Sequence, residues 1–490
     1  MASRLPATLW PMPAADRFGR ASDVLLVLAA VCALAAAFAG FFHLVSFPYD
    51  LEPGEADEIY YTQRLVQGDS LYSDSRSFPY LFNVHSPALY LLLAPFVAMF
   101  GPGLPAARCL CFGSSLLAAW LASRWLGSRG CSRPLRFAAA AALLSAPALF
   151  PWEMVCRVDA PALLLGVAWL LHLDSLRNRE PGAGDFLLHI GLGLAAFLGK
   201  WPTFVVFAGA ATCLLFIRNR RRALGWMASC GLACGAAGWA VDLWSGGVFW
   251  NAVTEPARWT HSVPWKWLLS RDYLASQGVW LLALAAAALV PAIRSSVPGW
   301  AWMGLGLGGI PIVRITIVGV AANSFLPFHV FLISIGILAA HRLGTLSGGW
   351  RACASFLVAA QLLSNAWSLR GNVLVDLERP KQAGKALEAA LQKVRGPILL
   401  DRQTEIWIRA GRPDLYVEVC GLSLRLMHGG LLPEEFIQAI RHKRYGAIVL
   451  RRNTLLPVVL QRIIGNFYEA KEAFSLLDDD HILFLPRPGA

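Results

Sequence analysis

The chain has 490 residues, of which 56% are hydrophobic and only 15% charged. That balance excludes a soluble globular protein of this size, which would need far more polar surface. The formal net charge of +12 would suit a nucleic-acid binder, but the Arg residues cluster in short loops between apolar runs, as the positive-inside rule produces, so no nucleic-acid partner is expected.

In chain order, Arg4, Arg17 and Arg20 precede a run from Val24 to Phe47 that contains no charge. This reads as an uncleaved first membrane helix at about 22–47. Five carboxylates follow within nine residues: Asp50, Glu52, Glu55, Asp57 and Glu58. Pro53-Gly54 marks a turn, and GEADEIYYTQRLVQG reads as a helix with Glu55 in its first turn. Glu55 and Glu58 share a face at i,i+3, while Asp57 points elsewhere. The next apolar piece, 88–101, is short and contains Pro95, so it reads as re-entrant.

Further spans are expected at about 105–127, 137–156, 161–174, 186–199, 202–217, 223–243, 276–293, 299–318, 325–340 and 352–368. If 88–101 does not cross, the Arg clusters at 124–136 and 218–222 fall on the same side as Arg177, Arg179, Arg294, Arg342 and Arg351. The expected fold is an α-helical polytopic membrane protein with about eleven transmembrane helices in residues 1–369. Its N-terminus is cytoplasmic and its first outer loop spans 48–104. Beyond Arg370 charge density rises. GPILLD (396–401), YGAIVL (445–450) and HILFLP (481–486) read as strands, and LPEEFIQAIRHKR and LPVVLQRIIGNFYEAKEAF as helices. Residues 370–490 are therefore expected to form a small α/β domain outside the cytoplasm. The ten cysteines form no CxxC pair and read as small buried hydrophobes.

The acidic loop has candidate partners in the same plane. In CRVDAPALLL, Asp159 lies beside Arg157, and its bland reading is an ion pair with that arginine. Lys200 in LGKWP and Arg314 in PIVRITIVG are candidate contacts for a lipid phosphate. His85, in FNVHSPALY, is a candidate phosphate or metal contact. Five tryptophans in 244–273 suit an interfacial belt or stacking on sugar rings, with His261 and Glu255 as weaker candidates. Acids and cations at one membrane face suit a site where a carboxylate deprotonates an acceptor hydroxyl while cations hold a leaving phosphate. A divalent metal is an open requirement, with Asp159, Glu55 and His85 as its candidate ligands.

These residues resemble the GT-C glycosyltransferases, and within them the bacterial branch similar to protein O-mannosyltransferases and the lipid A aminoarabinose transferase. The resemblance is carried by Glu55, Arg64, Gly68 and Tyr72 in GEADEIYYTQRLVQGDSLY, by HSPALY (85–90), by Gly101 and Arg108, by Asp159, and by Gly199-Lys200. It is close over about 40–205 and architectural elsewhere. It implies a transferase moving a monosaccharide, with inversion, from a polyprenyl-phosphate carrier to a glycan, lipid or protein acceptor, in a bacterial inner membrane. The family usually has Asp-Glu where this chain has Gly54-Glu55, and the chain's own Asp-Glu pair is Asp57-Glu58, so the base is open between Glu55 and Asp57. Asp159 takes the second acidic position, and His85 stands where the family often has Lys. The alternatives are a flippase for lipid-linked sugars, with charge along a midplane path, and a non-catalytic assembly subunit.

Overall fold

The computed structural model describes residues 14–52, 54–73, 83–254, 266–315, 322–401, 404–411, 434–452, 458–477 and 480–488. Helix α1 (Ala14–Val45) leads into the acidic helix α2 (Glu55–Val66) and the apolar α3 (Ala88–Phe100). Next come α4 (Leu104–Ser128), α5 (Arg133–Leu144), the short α6 (Phe150–Met154), α7 (Asp159–Ser175), α8 (Ala183–Gly199), α9 (Trp201–Arg218) and α10 (Arg220–Trp244). Then follow α11 (Phe249–Thr254), α12 (Trp267–Ser276), α13 (Gly278–Leu289), α14 (Pro291–Arg294), α15 (Gly299–Val313), α16 (Leu326–Leu346) and α17 (Gly348–Val373).

Five of these helices are long and apolar enough to cross a membrane: Arg20–Val45, Leu104–Ser128, Arg220–Trp244, Ala322–Leu346 and Gly348–Val373. The pair α12 and α13, bent by 78° at Gln277, makes a sixth if it is one span. Four further apolar helices, Ala88–Phe100, Ala183–Gly199, Trp201–Ile217 and Gly299–Val313, are shorter. Every residue of α16 from Leu326 to Ala340 is buried, so this helix is the axis around which the bundle packs. Such all-round apolarity is what a fully enclosed helix requires.

Two expected elements differ. The single helix at 137–156 is broken into α5 and α6, with Pro147 in the interruption and Pro151 in the first turn of α6. Proline removes a backbone donor and disfavours helix in the residue before it. The break turns the chain so that Cys156 and Arg157 reach the acidic loop. The expected helix through 468–474 is instead a strand: the local helical preference of YEAKEA yields to pairing with a neighbouring strand.

The C-terminal part begins with α18 (Glu378–Gln392) and continues through β1 (Ile398–Leu400), α19 (Thr404–Arg409), α20 (Glu434–Arg441), β2 (Ala447–Arg451), α21 (Val458–Phe467), β3 (Tyr468–Ser475) and β4 (Asp480–Pro486). The sheet order is β1-β2-β4-β3, with β1 parallel to β2 and the other pairs antiparallel. This sheet shares one apolar core with the acidic loop: Phe47, Tyr49, Ile59 and Tyr60 pack in the same cluster as Leu387, Ile398, Ile406 and Phe474. The approach is close enough to demand glycine at 384, where an added Cβ would lie 2.2 Å from the Tyr49 ring.

Candidate active site

The acidic loop is built as a turn into a helix. Gly54 has φ of +95°, a left-handed conformation that costs glycine little. Asp50 accepts a hydrogen bond from the Ala56 backbone N–H at 2.9 Å, satisfying a donor in the first turn of α2. The turn also makes room: a Cβ at position 54 would lie 2.6 Å from a guanidinium nitrogen of Arg157.

Glu55 is fully buried and held on all sides. Arg108 Nε and Nη2 each donate to its carboxylate at 2.7 Å. The backbone N–H groups of Leu51 and Cys156 add bonds at 3.0 and 2.9 Å. Arg108, also fully buried, donates to the carbonyls of Leu44 and Tyr49 as well. The bidentate fork and the backbone donors together neutralise a buried charge pair. Glu55 ties the end of α1, the acidic loop, α4 and the segment before α7 together. It has no face left for a substrate.

Glu58 lies one turn on, also buried, but its partners are looser. Its Oε1 is 3.6 Å from Arg157 Nη1 and 3.5 Å from His85 Nε2. Burial pushes its carboxyl up to about 7, against the opposing pull of Arg157. Arg157 is a hub. It bonds the Gly54 carbonyl at 3.3 Å, approaches His85 at 3.5 Å and Glu52 at 3.8 Å, and remains partly exposed. His85 is held well below the usual histidine range, by burial first and by Arg157 next, so it enters the site as a neutral imidazole. Its backbone is fixed by Tyr72, whose hydroxyl donates to the His85 carbonyl at 2.7 Å while its ring packs edge-on against Phe249.

Asp159 opens α7 and is buried. Lys200, from the junction of α8 and α9, donates to its Oδ1, and Asn323 donates to its Oδ2 at 3.0 Å. Arg157 is therefore not the ion-pair partner of Asp159 that adjacency suggested. Residues i and i+2 at a helix start point to different sides. Asp57 is the most accessible of the four candidate carboxylates, half-buried, and Thr404 donates to its Oδ1 at 2.5 Å.

The structure thus gathers Glu55, Asp57, Glu58, His85, Asp159 and Lys200 at one end of the bundle. Arg314 is not among them. It is exposed at the end of α15 and has no ion pair among the described residues. His261 and Glu255 lie outside the described residues. Sequence reasoning missed the hub role of Arg157, and missed Asn323 and Thr404 altogether. No local motif marks either of the last two; both arrive from distant segments.

Glu55 and Asp159, two of the candidate metal ligands, have their carboxylate oxygens engaged by other groups. Among the described residues no group of three His, Cys, Asp or Glu could hold one. The oxygens of Glu55 face Arg108 and two backbone donors, and those of Asp159 face Lys200 and Asn323. Both carboxylates already have cationic partners.

With this geometry in hand, similarity to solved structures is informative. The chain is similar to ArnT from Cupriavidus metallidurans bound to undecaprenyl phosphate, with a TM-score of 0.59 and 14% identity over 94% of this chain and 98% of that one. It is similar to the Archaeoglobus fulgidus oligosaccharyltransferase in complex with Zn and sulfate, with a TM-score of 0.51 and 10% identity over 94% of this chain and 75% of that one. It also resembles the archaeal oligosaccharyltransferase AglB from Archaeoglobus fulgidus in complex with an inhibitory peptide and a dolichol-phosphate, at TM-score 0.51 and 9% identity over 86% and 69%. The chain shares its fold with these proteins. Neither a protein-family model nor a curated protein matches the sequence, so the likeness lies in the fold. The shared fold includes the C-terminal sheet, since the ArnT match covers nearly the whole of both chains.

Proposed function

We propose that the protein is an integral-membrane glycosyltransferase that moves a monosaccharide from a polyprenyl-phosphate carrier to an acceptor outside the cytoplasm. The observation that carries this reading is the cluster at one end of the bundle. Carboxylates of graded accessibility converge there with Arg157 and Lys200, within a fold shared with ArnT and AglB, whose structures contain undecaprenyl phosphate and dolichol-phosphate.

Asp57 is the proposed base. Glu55 is sealed by Arg108, Glu58 is buried against Arg157 and His85, and Asp159 is bound to Lys200 and Asn323, which leaves Asp57 as the carboxylate an acceptor can reach. Asp57 takes the proton of an acceptor hydroxyl as that oxygen attacks the anomeric carbon, and the bond from that carbon to the phosphate oxygen breaks. The phosphate leaves with the bonding electrons, and Arg157 and Lys200 stabilise the developing charge. His85, neutral, supplies a hydrogen bond and not a charge.

The same proposal includes eleven crossings in a bacterial inner membrane. The shorter helices α7, α8, α9, α13 and α15 and the broken pair α5 and α6 cross alongside the five long ones. The N-terminus is then cytoplasmic and residues 370–490 form an extracytoplasmic domain. The test is transfer from an undecaprenyl-phosphate sugar, chosen by mass spectrometry of the co-purified lipid. Asp57→Asn is expected to lose transfer by about 100-fold or more while keeping its melting temperature. Full activity in that variant would overturn the assignment of the base.

A further inference from the structure

The acid assigned above as base is held by a residue from the far end of the chain. Thr404 opens α19 and is buried, and its hydroxyl donates to Asp57 Oδ1 across 347 positions of sequence. The helix that carries it is anchored independently. Ile406 and Ile408 lie in the core shared by the sheet and the acidic loop, and Arg409 reaches Glu405 at 2.9 Å and Glu388 at 3.9 Å. Thr404 therefore meets Asp57 only when the C-terminal segment is docked. Asp57 lies in the first turn of α2, and the bond from the buried Thr404 hydroxyl restricts the staggered rotamers open to its carboxylate.

We propose that Thr404 is a positioning residue that fixes the Asp57 carboxylate toward the acceptor, so that docking of the C-terminal segment completes the site. The inference rests on Asp57 as base. It assigns a catalytic consequence to a contact between segments that the fold alone would treat as packing. The apolar core shared by the sheet and the acidic loop holds α19, and with it Thr404, against the helix that carries Asp57.

The test compares Thr404→Val, which keeps the shape but loses the donor, with Thr404→Ser, which keeps the donor. Thr404→Val is expected to lower kcat about tenfold or more with KM for the lipid donor and the melting temperature unchanged, while Thr404→Ser stays within about twofold of the parent. In an Asp57→Asn background, Thr404→Val is expected to cost nothing more, because the two residues act as a unit. Thr404→Ala takes the place of the valine variant if the latter does not accumulate folded. Parent-like kcat in Thr404→Val overturns the inference, as do equal losses in the Ser and Val variants that track a fall in melting temperature. If Asp57→Asn is inactive and Thr404→Val is parent-like, only the role of Thr404 fails. If Asp57→Asn is itself fully active, the reading of Asp57 as base fails.

Discussion

Two arginines meet two glutamates of the same short helix, in opposite ways. Arg108 grips Glu55 through two bonds of 2.7 Å, and both side chains are fully buried. Arg157 faces Glu58 at 3.6 Å, with His85 and Glu52 at similar range, and stays partly open to solvent. The first pair has every hydrogen bond it can use and holds four segments together. The second is held at longer range, with Tyr90 also hydrogen-bonded to Glu58. Distance and burial thus distinguish the pair that locks the fold from the pair proposed to meet substrate, although both belong to one acidic loop and look alike in sequence.

The sharpest way to break that contrast is to remove one member of each pair. Arg108→Ala or Glu55→Gln leaves a buried charge or an unmet donor set, and is expected to destabilise the protein by about 3–5 kcal/mol, read as a large fall in melting temperature or in folded yield. Replacing both together by Met and Leu should recover much of that loss, because no uncompensated charge then remains. Arg157→Ala is expected to do the reverse. Its melting temperature should fall less than in the Arg108 variant, because the Arg157 pair is longer and partly open to solvent, while transfer falls by about 100-fold or more. Arg157→Lys should restore only part of it, since the hub uses a planar fork. A folded, active Glu55→Gln protein together with an unfolded Arg157→Ala protein would invert the whole comparison.

Much of the frame was legible in the sequence, because it rests on features that act locally. The charge-free run before Pro48, the positions of α4, α7, α8 and α9, and the turn at Gly54 all follow from periodicity, apolar length and backbone preference. Lys200 and Asp159 were expected in one site and form an ion pair. What escaped was the division of labour among the acids. Glu55 is one of the two acids the resemblance offers as base, yet Arg108, 53 positions away, seals it. Nothing within α2 distinguishes a sealed carboxylate from an open one; that distinction is made by residues arriving from α4, from the break before α7 and from α19. Strand β3 escaped for the same reason, as its pairing with β4 overrides a local helical pattern.

The smallest effect lies in the pH dependence of the loose pair. Burial raises the Glu58 carboxyl from 4.5 to about 7. The folded protein therefore keeps that proton between pH 4.5 and 7, where the unfolded chain has released it. The associated stability is complete below pH 4.5 and is lost as pH rises through 7. Glu58→Gln, a permanent copy of the protonated form, should flatten the fall in melting temperature between pH 5 and pH 8. Glu405, on the other side of the same core, is likewise raised to about 7 by burial, so Glu405→Gln should flatten part of the slope and the double variant more of it. His85 is held neutral in the fold by burial and by Arg157, whereas the histidine of the unfolded chain takes up a proton below about pH 6.5. His85 therefore opposes the Glu58 slope there, and His85→Gln should steepen the fall between about pH 5 and 6.5. If Glu58→Gln keeps the parent slope while Glu405→Gln removes all of it, the looseness of the Arg157 pair has no energetic expression, and the contrast with Arg108 reduces to distance alone.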